Sequence, residues 1–299
     1  MKVHILGSGT PTPTATHFGS SYVVDVGGDL LMFDCGPATT HKLVKAGLWP
    51  TDVNFLFFTH HHFDHDVDYP CFLLCRWDQS IGKEQVLRVF GPRITEALTE
   101  GIIGEAGIFA HDWKARINTP GSQRVYVNRG GKLPRPAPVV SAVDIEPGWV
   151  YESDNWKVTA AHAEHAQPFL DSLAYRVDTD EGSVVVTGDT QPCPTVIDLA
   201  RGADVMLCMC WNHQDVMDAD GESNGQTGTL KAGQMAQDAG VGTLVLVHTG
   251  PGLTRGGEPE RAVEDVGRVY SGRTHFAQEL DVIDVNSATA GTTRPSTPR

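Results

Sequence analysis

Thr59-His60-His61-His62-Phe63-Asp64-His65 follows directly on Val53-Asn54-Phe55-Leu56-Phe57-Phe58. The second stretch is apolar over the length of a strand and reads as buried. The first crowds imidazoles and a carboxylate onto its end. Desolvating such groups costs free energy unless something binds them. Neutral imidazole with carboxylate is a usual ligand set for a divalent metal. The spacing divides the work. His60 and His62 are two apart, so on extended backbone they point the same way and can grip one ion. Residues 66–77 predict a helix, with Pro70 tolerated only near its start. Asp64 and His65 sit where the strand gives way to that helix, so they face elsewhere and can serve a second ion. His61, between two candidate ligands, faces away and reads as structural.

The pattern H-x-H-x-D-H after a buried strand resembles the metallo-β-lactamase superfamily. Further ligand-type residues stand at later strand ends. His165 follows a strand over 156–161 and precedes Ser172-Leu173-Ala174-Tyr175-Arg176-Val177. Gly188-Asp189-Thr190 follows Val184-Val185-Val186, and His248 follows Leu244-Val245-Leu246-Val247. Loops at strand ends are where α/β folds keep their chemistry. Carried over position by position, the resemblance implies one metal on His60, His62 and His165. It implies a second on Asp64, His65 and His248, with Asp189 bridging the two. A carboxylate has two oxygens and can span two ions, which a neutral imidazole cannot. His162 competes with His165 for its place; the loop position favours His165. Asp34, in Phe33-Asp34-Cys35-Gly36, matches the family's early D-x-G position and is expected to accept the other N–H of a ligand imidazole. The plainer alternative is a turn aspartate before glycine. The implied cofactor is two divalent ions, zinc first, with manganese or iron(II) accepted by the same ligands.

Composition sets bounds. The candidate site residues run from Asp34 to His248 in a chain of 299 residues, so one site draws on nearly its whole length. That predicts a single α/β domain over 1–285, followed by a Ser/Thr/Pro-rich tail, 286–299, read as disordered. The resemblance refines the fold class to an αββα sandwich. No apolar stretch approaches the roughly 20 residues needed to span a bilayer, and the start of the chain runs straight into a strand and turn. Cytoplasm is the expected compartment, and no membrane partner is expected. The six cysteines fit no zinc-ribbon or thioredoxin spacing and read as reduced thiols. The net charge of −14 and the lack of a basic run argue against long nucleic acid as a partner. Residues 104–140 show little periodicity and are expected to form a lid or dimer arm, so a homodimer is a candidate assembly. Helices are expected over 38–46, 194–201 and 229–239, and one last strand within 275–285.

The Gly7-Ser8-Gly9-Thr10-Pro11 turn and Asp34-Cys35-Gly36 look most like the ribonuclease Z branch. The chain departs from it twice. The branch's H-E-A-T-type motif should fall on Cys208-Met209-Cys210-Trp211, and its H-S-T motif on about Gln226-Thr227-Gly228. Neither the glutamate nor the histidine is there, which argues against transfer-RNA 3′ processing. The first expectation is therefore a dinuclear metal-dependent hydrolase of a small-molecule ester, lactone or amide, with a bridging hydroxide as nucleophile. Two ions about 3.5–4 Å apart can hold such a hydroxide near neutral pH. Asp64 or Asp189 would aim it, and His213 is the candidate general acid, with His111 behind it. The second expectation is a phosphodiesterase of the ribonuclease Z type acting on small nucleotides or cyclic phosphate esters. It calls for basic residues beside the metals, with Arg176 and Arg255 as candidates.

Overall fold

The computed structural model describes residues 1–82 and 85–285. The tail expected to be disordered, 286–299, lies outside the described residues. In the first half, β1 (Lys2–Gly7), β2 (Ser21–Asp25), β3 (Leu30–Phe33), β4 (Val53–Phe57), β5 (Leu87–Gly91) and β6 (Val140–Asp144) lie side by side in chain order. In the second, β7 (Val150–Glu152), β8 (Trp156–His162), β9 (Leu173–Thr179), β10 (Gly182–Val186), β11 (Val205–Met209), β12 (Thr243–Val247) and β13 (Arg273–Phe276) do the same. β14 (Val282–Asp284) returns to the first sheet and pairs with β1. Each sheet is antiparallel on one side and parallel on the other. Pairing from β1 to β3 is antiparallel and from β3 to β6 parallel. Pairing from β7 to β10 is antiparallel and from β10 to β13 parallel.

The side-chain period of two sorts residues into layers. In β11, Val205 and Leu207 join the core between the sheets, while Met206 and Cys208 face the helix side. In β4, Phe55 and Phe57 face the other sheet, and Leu56 packs outward with Leu43, Phe72 and Leu73. Those outward residues pack with α1 (Thr39–Lys45), α3 (Tyr69–Gln79) and α4 (Thr95–Ile103), while the short α2 (Phe63–Asp66) lies between β4 and α3 in the chain. α5 (Ala110–Asn118) and α6 (Pro120–Asn128) follow in the first half. α7 (Pro194–Leu199), α8 (Gln214–Asp220), α9 (Thr229–Ala239) and α10 (Glu258–Gly267) belong to the second. The result is a two-sheet sandwich with helices on both outer faces, as the resemblance implied.

Three elements differ from their sequence reading. The helix expected over 66–77 is two pieces, α2 and α3. The break is held because Asp68 donates its N–H to Cys35 O and its carboxylate accepts from Thr40 N and Oγ1. Pro70 then fits the first turn of α3, where its missing N–H is not needed. The last strand splits into β13 and β14, one in each sheet, with Leu280 at φ 68 in the turn between them. Residues 104–140 contain α5 and α6, anchored by single aromatics rather than by an apolar stripe. Trp113 is buried and donates to Ile103 O, and Arg135 stacks 3.9 Å from the centre of the Trp77 ring. Arg116, Arg129 and Arg135 all turn onto Asp78 of α3. Among the described residues, no helix is long and apolar enough to cross a membrane.

Phe57 is fully buried and its ring lies within 6 Å of those of Phe33, Phe90 and Tyr175. Phe57→Ala is expected to cost about 3–5 kcal/mol. Urea unfolding of the metal-free protein measures this directly.

Candidate metal centre

β4 delivers the site. Its last carbonyl, from Phe57, accepts Asp34 N, so the end of β3 and the end of β4 are stitched together. Asp34 sits at φ 60, a left-handed conformation that aspartate tolerates better than most residues. Fully buried, it accepts Thr59 N at 2.7 Å, Thr59 Oγ1 at 2.9 Å and His65 Nδ1 at 2.7 Å. The last bond fixes His65 as the Nδ1–H tautomer when neutral and leaves Nε2 facing inward. Gly36 makes room for this: a Cβ there would stand 2.2 Å from Asp64 O.

Two sets of side chains converge. His60 Nε2 and His165 Nε2 lie 3.1 and 3.2 Å from His62 Nδ1. Three ring nitrogens this close could serve together as donors to one cation. In the other set, His248 Nε2 is 3.2 Å from Asp64 Oδ2, and His65 Nε2 is 3.5 Å from the same oxygen. Asp189 lies between the sets. Its Oδ2 is 4.0 Å from His60 Nε2, 3.8 Å from His165 Nε2 and 3.1 Å from His248 Nε2, and its Oδ1 is 3.5 Å from His65 Nε2. His60, His62 and His165, and likewise Asp64, His65 and His248, could each hold an ion. All seven predicted residues are thus brought together, and His162 is not among them.

Electrostatics and burial fit that use. Asp64 Oδ1, His65 Nε2 and Asp189 Oδ1 are buried with no hydrogen-bond partner. Such orphaned atoms are costly unless something binds them, and metal coordination would satisfy them. Burial drives His60 well below its ordinary pKa, and the neighbouring His65 adds to this, so its imidazole is kept neutral as a ligand must be. Burial alone would push Asp189 up, but His248 and His65 hold it well below the usual carboxylate range. Burial pulls His65 down, but Asp189 and Asp34 outweigh it and lift its pKa well above normal. A cation entering there displaces a proton. His165 is oriented by Gly225, whose carbonyl accepts Nδ1–H at 2.7 Å. His248 sits at φ 49, a strained conformation for histidine.

The other sequence candidates go elsewhere. His61 lies between Thr95 Oγ1 at 2.9 Å and Asp66 Oδ2 at 3.3 Å, facing away as expected. His213 is buried with both ring nitrogens on carboxylates, Nδ1 on Asp265 at 2.9 Å and Nε2 on Glu258 at 2.8 Å. Neither nitrogen is free to protonate a leaving group. Its geometry is that of a positioning residue joining the start of α8 to α10. The adjacent Trp211 donates Nε1–H to Glu222, and its ring lies 6.4 Å from that of His248. His111 is exposed on α5 and bonded to Ile108 O. Arg176 is engaged by Asp178 and the carbonyls of Leu199 and Arg201, and Arg255 is exposed. Cys208 is buried, which pushes its thiol up to about 12. All six cysteines are free. Sequence reasoning missed Thr59, Gly225, Glu258 and Asp265. Thr59 and Gly225 carry no motif, and the two acids lie on α10, a helix not read from the sequence.

Sandwich and centre together define a metallo-hydrolase. The family description "Beta-lactamase superfamily domain" matches residues 108–249, and "Anti-Pycsar protein Apyc1" matches residues 1–67. The chain is 28% identical to a ribonuclease Z of Mycobacterium avium (strain 104), over 96% of this chain and 99% of the relative. Among solved structures, the metallo-β-lactamase fold protein YhfI from Bacillus subtilis superposes with a TM-score of 0.71 at 22% identity, over 94% of this chain and 98% of that one. A diphosphatase from the PhnP family superposes with a TM-score of 0.65 at 15% identity, over 94% and 96%. The family model and the relatives together support a ribonuclease Z-like hydrolase of the metallo-β-lactamase superfamily.

Two outcomes follow from this geometry. Asp34→Asn should weaken divalent-metal binding by about 10–100-fold, because His65 loses a charged acceptor; competition with a chromogenic chelator reads it. His213→Ala should leave metal content unchanged and cost about 1–3 kcal/mol of stability, since it removes the imidazole that Asp265 and Glu258 share and leaves Asp265 only Thr229 and Arg268. Metal analysis and urea unfolding of the same sample test both halves.

Proposed function

We propose that this chain is a dinuclear metal-dependent phosphodiesterase acting on small nucleotides or cyclic phosphate esters. The observation that carries the reading is the meeting of two ligand sets on one carboxylate, Asp189. Zinc is the first choice of ion, and bound divalent ions would supply a Lewis acid and hydroxide from water at neutral pH. His60, His62 and His165 would hold one, Asp64, His65 and His248 the other, and Asp189 both. Asp34 keeps His65 in the required tautomer. Asp64 or Asp189 would accept a hydrogen bond from the attacking water and aim it.

The relatives tip the reaction class. A ribonuclease and a diphosphatase both break bonds at phosphorus, which supports a phosphodiester over the ester, lactone or amide first expected from sequence. Substrate size is argued from charge. The chain carries −14 overall, and three of the four arginines of 104–140, Arg116, Arg129 and Arg135, are turned onto Asp78, with Arg124 exposed. Cys208 to Trp211 still lacks the glutamate of the ribonuclease branch. A small ligand needs neither an extended basic surface nor a gripping arm.

The test is one matched panel with zinc- or manganese-loaded protein: bis(p-nitrophenyl) phosphate, cyclic mononucleotides, p-nitrophenyl acetate, a lactone, an amide and a precursor transfer RNA. Phosphodiester turnover should exceed carbonyl turnover by at least about tenfold, without 3′ cleavage of the RNA. Asp189→Ala should lose metal and more than about 100-fold in kcat/KM. Dominant carbonyl turnover would return the ester reading to first place. Full metal and full activity in Asp189→Ala would sink the assignment of the site.

A further inference from the structure

A cavity of about 530 Å3 opens where β5, β6, β8 and β9 meet. Small-molecule sites usually measure roughly 300–1,000 Å3. Its lining includes Arg93, Glu146, His162, Gln167, Asp171 and Ser172. Two hydrogen bonds join its wall to the metal centre. Leu173 N, in the lining, donates to Thr59 O at 2.9 Å, directly before His60. Gln167 Oε1 accepts the backbone N–H of His165 at 2.8 Å. None of the seven candidate ligands lines the cavity, but these two bonds tie its wall to the backbone that carries His60 and His165.

Its chemistry is unlike that of a phosphate site. Asp144, Glu146 and Asp171 face it against Arg93, which Asp171 already pairs at 3.8 Å. Free phosphate would be repelled. An uncharged group presenting N–H donors would not. Ser172 is 3% exposed and its hydroxyl has no hydrogen-bond partner. A buried hydroxyl in that state is costly unless a ligand or an ordered water satisfies it. Phe169 lies between the lining residues Gln167 and Asp171 in sequence; it is not itself part of the lining and is 92% exposed. A lone exposed aromatic is ordinary. Here it is carried by a short loop whose ends are tied to His165 and, through Ala163 N and Ser172 O, to β8.

We infer that this cavity binds the nucleoside part of the substrate, with Phe169 stacking on the base and Ser172 Oγ hydrogen-bonding its edge. The inference rests on the phosphodiesterase reading, which leaves the phosphate to the metals and the uncharged remainder to this cavity. It selects substrates by their base, a task the metal ligands cannot perform.

Calorimetric titration of zinc-loaded protein with adenosine, guanosine, cytidine and uridine tests the inference without turnover. At least one nucleoside should bind. Phe169→Ala should weaken it about tenfold or more, and Ser172→Ala about fivefold. Phe169 is so exposed that its loss cannot unfold the chain. Absence of binding by any nucleoside, or wild-type affinity in both variants, overturns the proposal. Unchanged nucleoside affinity with a shift from dimer to monomer in sedimentation also overturns it and assigns Phe169 to a subunit contact. Wild-type turnover of bis(p-nitrophenyl) phosphate separates the two levels. Nucleoside binding without that turnover keeps the cavity and removes the phosphodiesterase; turnover without nucleoside binding does the reverse.

Discussion

Asp34 holds the centre in place. It closes β3, donates its backbone N–H to the Phe57 carbonyl at the end of β4, and accepts from Thr59 and His65. One buried carboxylate thereby fixes the exit of a strand, the first residue of the histidine-rich turn and the tautomer of a candidate ligand. Hydrogen bonds to a charged acceptor are roughly twice as strong as neutral ones. In so dry a place they also leave few alternatives for the chain. Gly36 belongs to the same constraint, since any side chain there would strike Asp64 O. The D-x-G pattern is a packing rule as much as a chemical one.

The rest of the centre follows from burying charge between two sheets. Asp189 and Asp64 are kept ionised by His65 and His248 against the pull of burial. The imidazoles are divided, with His60 forced neutral and His65 held charged. Such a network is costly wherever a member lacks a partner. The unpartnered atoms of Asp64, His65 and Asp189 are all candidate ligand atoms. Coordination would replace proton sharing without moving the backbone, because each ligand hangs from a strand end or from a bond just outside the cluster.

Much of this was legible because the informative residues are local. Residues 59–65 state a strand end, two facing imidazoles and a helix start in one breath. The later ligands each follow an apolar run, and their strands stand within a residue or two of where the runs lie. Other features were not legible because they depend on contacts distant in sequence. His213 looked like a free loop histidine until Glu258 and Asp265, 45 and 52 residues on, were seen to hold both nitrogens. Residues 104–140 lacked periodicity because Trp113, Tyr126 and Arg135 anchor them singly, against α3 and its surroundings. The final strand was read as one because no local signal marks a chain crossing from one sheet to the other.

The two sheets divide responsibility in a way that bears on how such a centre acquires a substrate. The candidate ligands stand at the ends of β4, β8, β10 and β12, whose side chains are locked into the common core. They are drawn from both halves, so neither half alone holds both sets. The walls of the adjoining cavity come mainly from connections: 92–93, 144–147 and 167–172. Strand ends under this much packing constraint tolerate little change. Loops at the rim tolerate more. A change of leaving group or base can therefore be built into the rim while Asp34, His65 and Asp189 stay where the strands put them. On this argument, the loss of the ribonuclease branch's glutamate at Cys208 to Trp211 and the exposed phenylalanine at 169 belong to one economy: the centre stays, and the surface that chooses what reaches it is redrawn.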